Sequence, residues 1–206
     1  MLKKTDRFIF KKKVITLKKT NEMEATPTTK QSIFEGLEES FQIVDQSLAE
    51  LTPGQCQIGF EGKWNTAEQL EHLLLSNKPI LKALHLPKTQ LRQMFGALDR
   101  TGQNFNELKA RYLDILRETG IKAPPRFQPQ AETTDSLDEA RQIWSQLSDG
   151  FQEVAAKWGE EELDDYVIPH PAMGNLSVRE MLFFVIFHNA HHLLQIEEIK
   201  SELLVK

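Results

Sequence analysis

Small polar residues stand three positions before Glu or Gln at Thr28…Gln31, Asn65…Glu68, Asn104…Glu107, Ser136…Glu139 and Ser177…Glu180. In such a capping box each side chain satisfies the other residue's free backbone N–H at the start of a helix. Every one of these pairs precedes a segment with apolar residues at helical spacing. Strand-like alternation is confined to the first twenty-five residues, and no repeat of fixed period occurs. A chain with this many encoded helix starts is expected to be all-α.

The first helix is predicted over about residues 31–51, with Phe34, Leu37, Phe41, Val44 and Leu48 on one face and Thr52-Pro53-Gly54 as its stop. A loop through Phe60 and Trp64 leads to a second helix over about 66–84, which Pro79 should kink because proline lacks the N–H and crowds the preceding turn. Residues 85–103 read as irregular, with Pro87, Gly96 and Gly102; a shorter helix over about 106–118 ends at Gly120. The run Ala123-Pro124-Pro125-Arg126-Phe127-Gln128-Pro129 reads as a loop. Another long helix spans about 137–158, with Ile143, Leu147, Phe151 and Val154 as its core stripe, Gly150 as a weak point and Gly159 as a C′ stop. The last helix covers about 178–203. Four long helices and one short one argue for a bundle, and the long linkers between the second and fourth imply at least one crossover connection. Trp144, Trp158 and the phenylalanines of the last helix are expected to serve packing or a dimer face.

Composition narrows the classes further. The 206 residues are 40% apolar and 27% charged, enough for a core and unlike a disordered chain. A net charge of −5 gives no reason to expect nucleic acid as a partner. The lone Cys56 cannot form an internal disulfide or a cysteine metal site; it reads as an incidental loop thiol and suits a cytoplasmic setting. The first twenty residues are basic, with short apolar stretches broken by lysines, so a secretory signal is not expected, nor is a membrane span. Residues 1–25 are set aside as a disordered arm, Met23 reading as an alternative start, and residues 26–206 as the folded domain. The acidic runs Glu160-Glu161-Glu162 and Asp164-Asp165 read as solvated charge.

The histidines carry the chemistry. His188, His191 and His192 fall within five residues of the last helix. Positions four apart lie one above the other, so His188 and His192 can face a single ion, whereas His191 is rotated away. Met181, Leu182, Val185 and Ile196 put this face against the core, where an imidazole pair without partners is costly. His72, in the middle of the second helix, offers a third imidazole from a facing helix. Three histidines leave positions open for water or substrate, which is a catalytic rather than a closed structural pattern. The alternative for each is a hydrogen-bonded core histidine. No H-E-x-x-H is present, so a zincin-type protease is not supported. Gln195 approaches the same face, with a solvated glutamine as the plainer reading; His170, between two prolines, could overhang the site but reads first as part of a turn. Glu71 reads as surface charge and His85 as a helix-end histidine meeting free carbonyls.

Trp64 with His72 eight positions on, then a final helix bearing His188, His192 and Gln195, resembles the DinB-like superfamily (DNA-damage-inducible protein B) over about residues 31–203. The run from Ile168 to Met181, IPHPAMGNLSVREM, resembles the lead-in to the last helix in a subgroup of these proteins. The resemblance implies a four-helix bundle, here with an additional short helix and a long inter-helix insertion around residues 85–130. It also implies a three-histidine site for zinc, nickel or a similar divalent ion at His72, His188 and His192. Relatives include S-transferases that use low-molecular-weight thiols such as bacillithiol or mycothiol, a mycothiol-dependent maleylpyruvate isomerase and proteins described as metal-dependent hydrolases. The expectation is therefore a metal-dependent enzyme acting on a small molecule, with a thiol as candidate co-substrate and a homodimer as candidate assembly. A non-catalytic bundle stapled by the ion, or one with no ion at all, are the alternatives.

Overall fold

The computed structural model describes residues 26–60, 62–130 and 136–203; the basic arm expected over residues 1–25 lies outside them. In chain order the elements are α1 (Lys30–Ala49), α2 (Pro53–Cys56), α3 (Thr66–Leu84), α4 (Lys88–Phe95), α5 (Phe105–Thr119), a 3-10 turn (Pro125–Phe127), α6 (Leu137–Ala155), α7 (Glu162–Asp165), β1 (Val167–His170), β2 (Gly174–Ser177) and α8 (Val178–Leu203). The expected all-α bundle is present: α1 packs on α6 and α8, and α3 packs on the same two helices. Among the described residues no helix is long and apolar enough to cross a membrane.

The capping boxes at Asn65–Glu68, Asn104–Glu107 and Ser136–Glu139 form as read, and Ser177 and Glu180 exchange the same pair of bonds at the start of α8. The first box sits one position later than expected. Ser32 Oγ accepts from the N–H of Thr28 and of Thr29, so Thr29 becomes the cap, while Gln31 turns outward to Glu35.

α8 is the axis of the molecule. Its residues Met181 through Asn189 are buried without interruption, and a helix apolar all round is one enclosed by its neighbours. Phe183, Phe184 and Phe187 thus pack within the chain rather than on a dimer face. On the other side of the core Phe41 lies against Trp144 and Phe151, with ring centroids 4.3 and 5.6 Å away, and the Trp144 indole N–H donates to the Phe41 carbonyl. Gly150 is a contact point as much as a weak one: a Cβ there would come within 2.6 Å of Leu81 Cδ2, so its absence lets α6 approach α3.

Four local expectations are corrected. Residues 88–95 are helical, and residues 167–177 form a two-stranded antiparallel hairpin pairing Val167 with Ser177 and His170 with Gly174. The hairpin escapes a period-two pattern because each strand has four residues and buries two adjacent ones, not alternate ones. α6 ends at Ala155 rather than near Trp158, whose indole turns inward to donate to the Leu84 carbonyl; Gly159 is no left-handed cap and donates its N–H to the Glu162 carboxylate. The acidic runs are not simply solvated: Glu160 and Asp164 both pair with Arg179 of α8, and Glu162 pairs with Lys88. The Lys30 N–H and then Arg179 hold the Glu160 carboxyl below the usual range, and Lys88 does the same for Glu162.

The insertion between α3 and α6 is pinned at its centre. Glu180, 1% exposed, accepts from both terminal nitrogens of Arg100 and from the Gln103 and Ser177 N–H groups. From there α5 lies along α8, and the 3-10 turn returns to α3.

Candidate metal centre

His72, His188 and His192 meet where α3 crosses α8, and all three are buried, with 6%, 2% and 5% of their surface exposed. Nε2 of His188 lies 3.2 Å from Nε2 of His72 and 3.2 Å from Nε2 of His192. The four-residue step along α8 stacks two of the rings, as helical geometry requires, and α3 supplies the third from across the groove.

The outer nitrogens settle which face of each ring is free. His72 Nδ1 is 2.7 Å from the Phe127 carbonyl. A carbonyl can only accept, so Nδ1 carries the proton and Nε2 turns a lone pair to the centre. His192 Nδ1 is 2.5 Å from Gln69 Oε1. Gln69 Nε2 donates to the Trp64 carbonyl, which orients the amide with its oxygen toward His192 and fixes the same tautomer there. Acceptors of this kind behind a ligating imidazole orient the ring and raise its basicity. His188 Nδ1 is buried with no partner among the described residues.

The donor set fits a divalent ion. At Zn–N bonds of about 2.0–2.1 Å, tetrahedral angles place neighbouring nitrogens about 3.3 Å apart, close to the 3.2 Å spacing of His188 to each partner. Without an ion, His188 can give its one proton to only one of two facing lone pairs, so its own Nδ1 and a further ring nitrogen stay unmatched. A bound ion leaves only one unmatched, and buried unmatched groups are costly. Burial holds the rings neutral, as ligation needs: desolvation lowers His72 and takes His188 and His192 well below the ordinary histidine range, with repulsion among the rings adding to it. These three therefore form a buried group able to hold a metal ion.

Aromatic rings enclose the group. Trp64 covers His72 and His192 at centroid distances of 4.9 and 6.4 Å, and Phe184 stacks on His188 at 4.7 Å. All three histidines line a cavity of about 610 Å³ with mostly apolar walls. Tyr112, Leu116 and the segment from Ile121 to Phe127 furnish one wall, so the insertion shapes the cavity. The opposite side includes Leu75, Ser76 and Pro79 of α3, where proline removes the N–H that would meet the Leu75 carbonyl.

The remaining candidates fall around this centre. His191 is turned from the trio and its Nε2 accepts at 2.9 Å from the side-chain amide of Gln195, which thus serves His191 rather than the three facing nitrogens. His170 is indeed held in a turn, and it also lines the cavity. Glu71 is more than surface charge: it accepts from the Gln130 N–H and anchors the end of the insertion. His85 meets Lys157 Nζ at 3.3 Å, not a free carbonyl. Cys56 is no loop thiol but a buried residue closing α2, and burial pushes its thiol up, against any nucleophilic role. Sequence reasoning missed Gln69 and the Phe127 carbonyl. Gln69 had a signal, since it precedes His72 by three positions and shares its face; a backbone carbonyl from another segment has none.

The chain is 25% identical over 150 residues to a Bacillus subtilis (strain 168) protein described as "Uncharacterized protein YuaE", an alignment covering 68% of this chain and 91% of the relative. No solved structure gives a significant match. The sequence model of the DinB superfamily matches residues 36–196, from within α1 to beyond the last of the three histidines, and the chain belongs to that superfamily.

Proposed function

We propose that the protein is a metal-dependent enzyme in which His72, His188 and His192 hold one divalent ion, zinc or nickel, and a small nucleophile is activated beside an apolar substrate. A low-molecular-weight thiol is the first candidate for that nucleophile, making the protein an S-transferase; water, making it a hydrolase, is the second. The observation that carries the reading is the convergence of three buried Nε2 atoms on the lining of a large cavity. A structural staple would use a fourth protein ligand in a closed site. An ion held there supplies a Lewis acid that lowers the pKa of a coordinated thiol or water.

The chain's own groups do the rest. The Phe127 carbonyl and Gln69 hold two rings in the productive tautomer. Trp64 and Phe184 pack against the rings and keep bulk water from them, which strengthens every charge interaction inside. The mainly apolar walls favour a thiol or an organic substrate over free solvent. A single cysteine suits a reducing compartment, so the reading places the protein in the cytoplasm.

The test is metal content by mass spectrometry of tag-free protein beside His188→Ala and His192→Ala. About one zinc or nickel per chain, lost in both variants while the helical spectrum is kept, supports the site and opens a screen of thiol-transfer and hydrolysis substrates. No metal after reconstitution, with variants like the parent, overturns the assignment.

A further inference from the structure

The cavity has a second polar pole that the three histidines do not use. His170 Nδ1 accepts from the N–H groups of Ala172 and Met173, at 3.1 and 3.2 Å. Two donors on one nitrogen make it the unprotonated one, so the proton sits on Nε2. His170 lines the cavity, and among the described residues no hydrogen bond reaches that Nε2–H. Tyr112 of α5 stands edge-on to His170, ring centroids 6.0 Å apart, and lines the same cavity; no hydrogen bond among the described residues involves its hydroxyl either. Both rings lie near the metal centre: Tyr112 is 6.4 Å from His188, and His170 packs on Phe184, the ring stacked on His188.

The two donors sit on a braced frame. Arg111, beside Tyr112, donates to the Met173 carbonyl and to Gln103 Oε1, tying α5 to the hairpin turn that holds His170. Burial, with the Arg111 charge, lowers the His170 pKa to about 4, so the ring stays a neutral donor at working pH. Burial likewise pushes the Tyr112 phenol up, keeping its proton in place.

Two neutral donors without partners, in mostly apolar walls, are complementary to an uncharged oxygen acceptor; the charged side chains on the lining, Lys122 and Arg126, belong to the segment that follows α5. We propose that Tyr112 and His170 bind the carbonyl oxygen of an otherwise apolar substrate, such as a ketone, ester or amide. The inference rests on the reading of this cavity as the substrate site. It adds a substrate class and two contacting residues, which face a carbonyl toward the nucleophile and stabilise negative charge developing on its oxygen.

The experiment compares 2-acetylnaphthalene with 2-ethylnaphthalene, matched in shape but lacking the carbonyl, on the full chain with its metal content measured in the same sample. Tyr112→Phe removes only the hydroxyl. His170→Asn keeps an acceptor for the turn N–H groups and removes the Nε2 donor. Each variant is expected to bind the ketone about threefold to tenfold more weakly, with the hydrocarbon unchanged within about twofold. The infrared carbonyl stretch of the bound ketone should lie lower in the parent than in either variant. Equal ketone binding in parent and variants, a parallel loss for both probes, or no binding of either overturns the proposal. Metal at one per chain with no ketone discrimination overturns this inference alone. Metal at background with the ketone pattern intact overturns the ion assignment alone.

Discussion

Two buried polar clusters lie along α8, and they are finished differently. At the helix start Glu180 is saturated: Arg100 Nη1 and Nη2 and two backbone N–H groups fill its oxygens. Two turns further on, His188 and His192 turn their Nε2 atoms toward His72, and one ring nitrogen, His188 Nδ1, has no partner among the described residues. The first cluster is complete within the chain and holds the insertion in place. The second is left, among the described residues, with ring nitrogens that the chain does not match. Saturation inside the chain thus separates a structural buried charge from a candidate site, although both are equally hidden from solvent.

The sharpest way to break this comparison is to remove Glu180. Glu180→Ala removes the ion pair, leaving Arg100 with only the Thr101 and Asn175 carbonyls and leaving two N–H groups unmatched, and urea denaturation should show a loss of about 3 kcal/mol, somewhat below a fully buried pair because Arg100 is 29% exposed. A loss under about 1 kcal/mol would end the view that this cluster is structural. His188→Ala should behave differently. In the ion-free state it removes the unmatched His188 Nδ1 but frees one facing Nε2, so the loss is chiefly that of buried ring volume, about 2 kcal/mol and below that of Glu180→Ala. Saturating metal should add about 3–4 kcal/mol to the parent at 100 to 1,000 times Kd, and nothing to the variant; melting with and without chelator measures both. Gln69→Leu keeps all three ligands and removes the acceptor behind His192. Metal affinity, read by competition with a chromophoric chelator, should fall about tenfold to a hundredfold.

The smallest effect concerns pH. Folded His170 stays neutral down to about pH 4, whereas the unfolded side chain titrates near its ordinary 6.5. The unfolded chain therefore binds the extra proton between these values, and folding stability falls as pH drops through that window, with no contribution above it. At pH 5.5 the contribution is about 1 kcal/mol. The difference between parent and His170→Asn isolates it; identical pH profiles would mean that the ring is solvated.

Much of this was legible before the structure. Capping boxes are local hydrogen bonds between residues three apart, so Asn65, Asn104, Ser136 and Ser177 could be read directly. His188 and His192 share a face by periodicity alone, and His72 follows once two helices are required to face each other. What stayed hidden is set by distant partners. Lys88 forms an ion pair with Glu162 and Arg179 with Glu160 and Asp164, and Glu71 accepts a hydrogen bond from a backbone N–H fifty-nine residues away. Neither partner signals the other along the chain. The hairpin was missed for a related reason: its strands owe their conformation to docking on α4 and α8, not to alternation.

His72 and His188 stand 116 positions apart, and that separation sets an order of events. Before the chain closes, only the pair on α8 exists, a two-point ligand of little affinity. The trio is assembled by collapse of the bundle, so an ion cannot template the fold in the way it does in a zinc finger. An ion held there would arrive late, through the cavity, and would leave by the same door. The empty bundle should therefore be a stable, reloadable species, with occupancy set by how much metal the surroundings provide and not by the history of the chain.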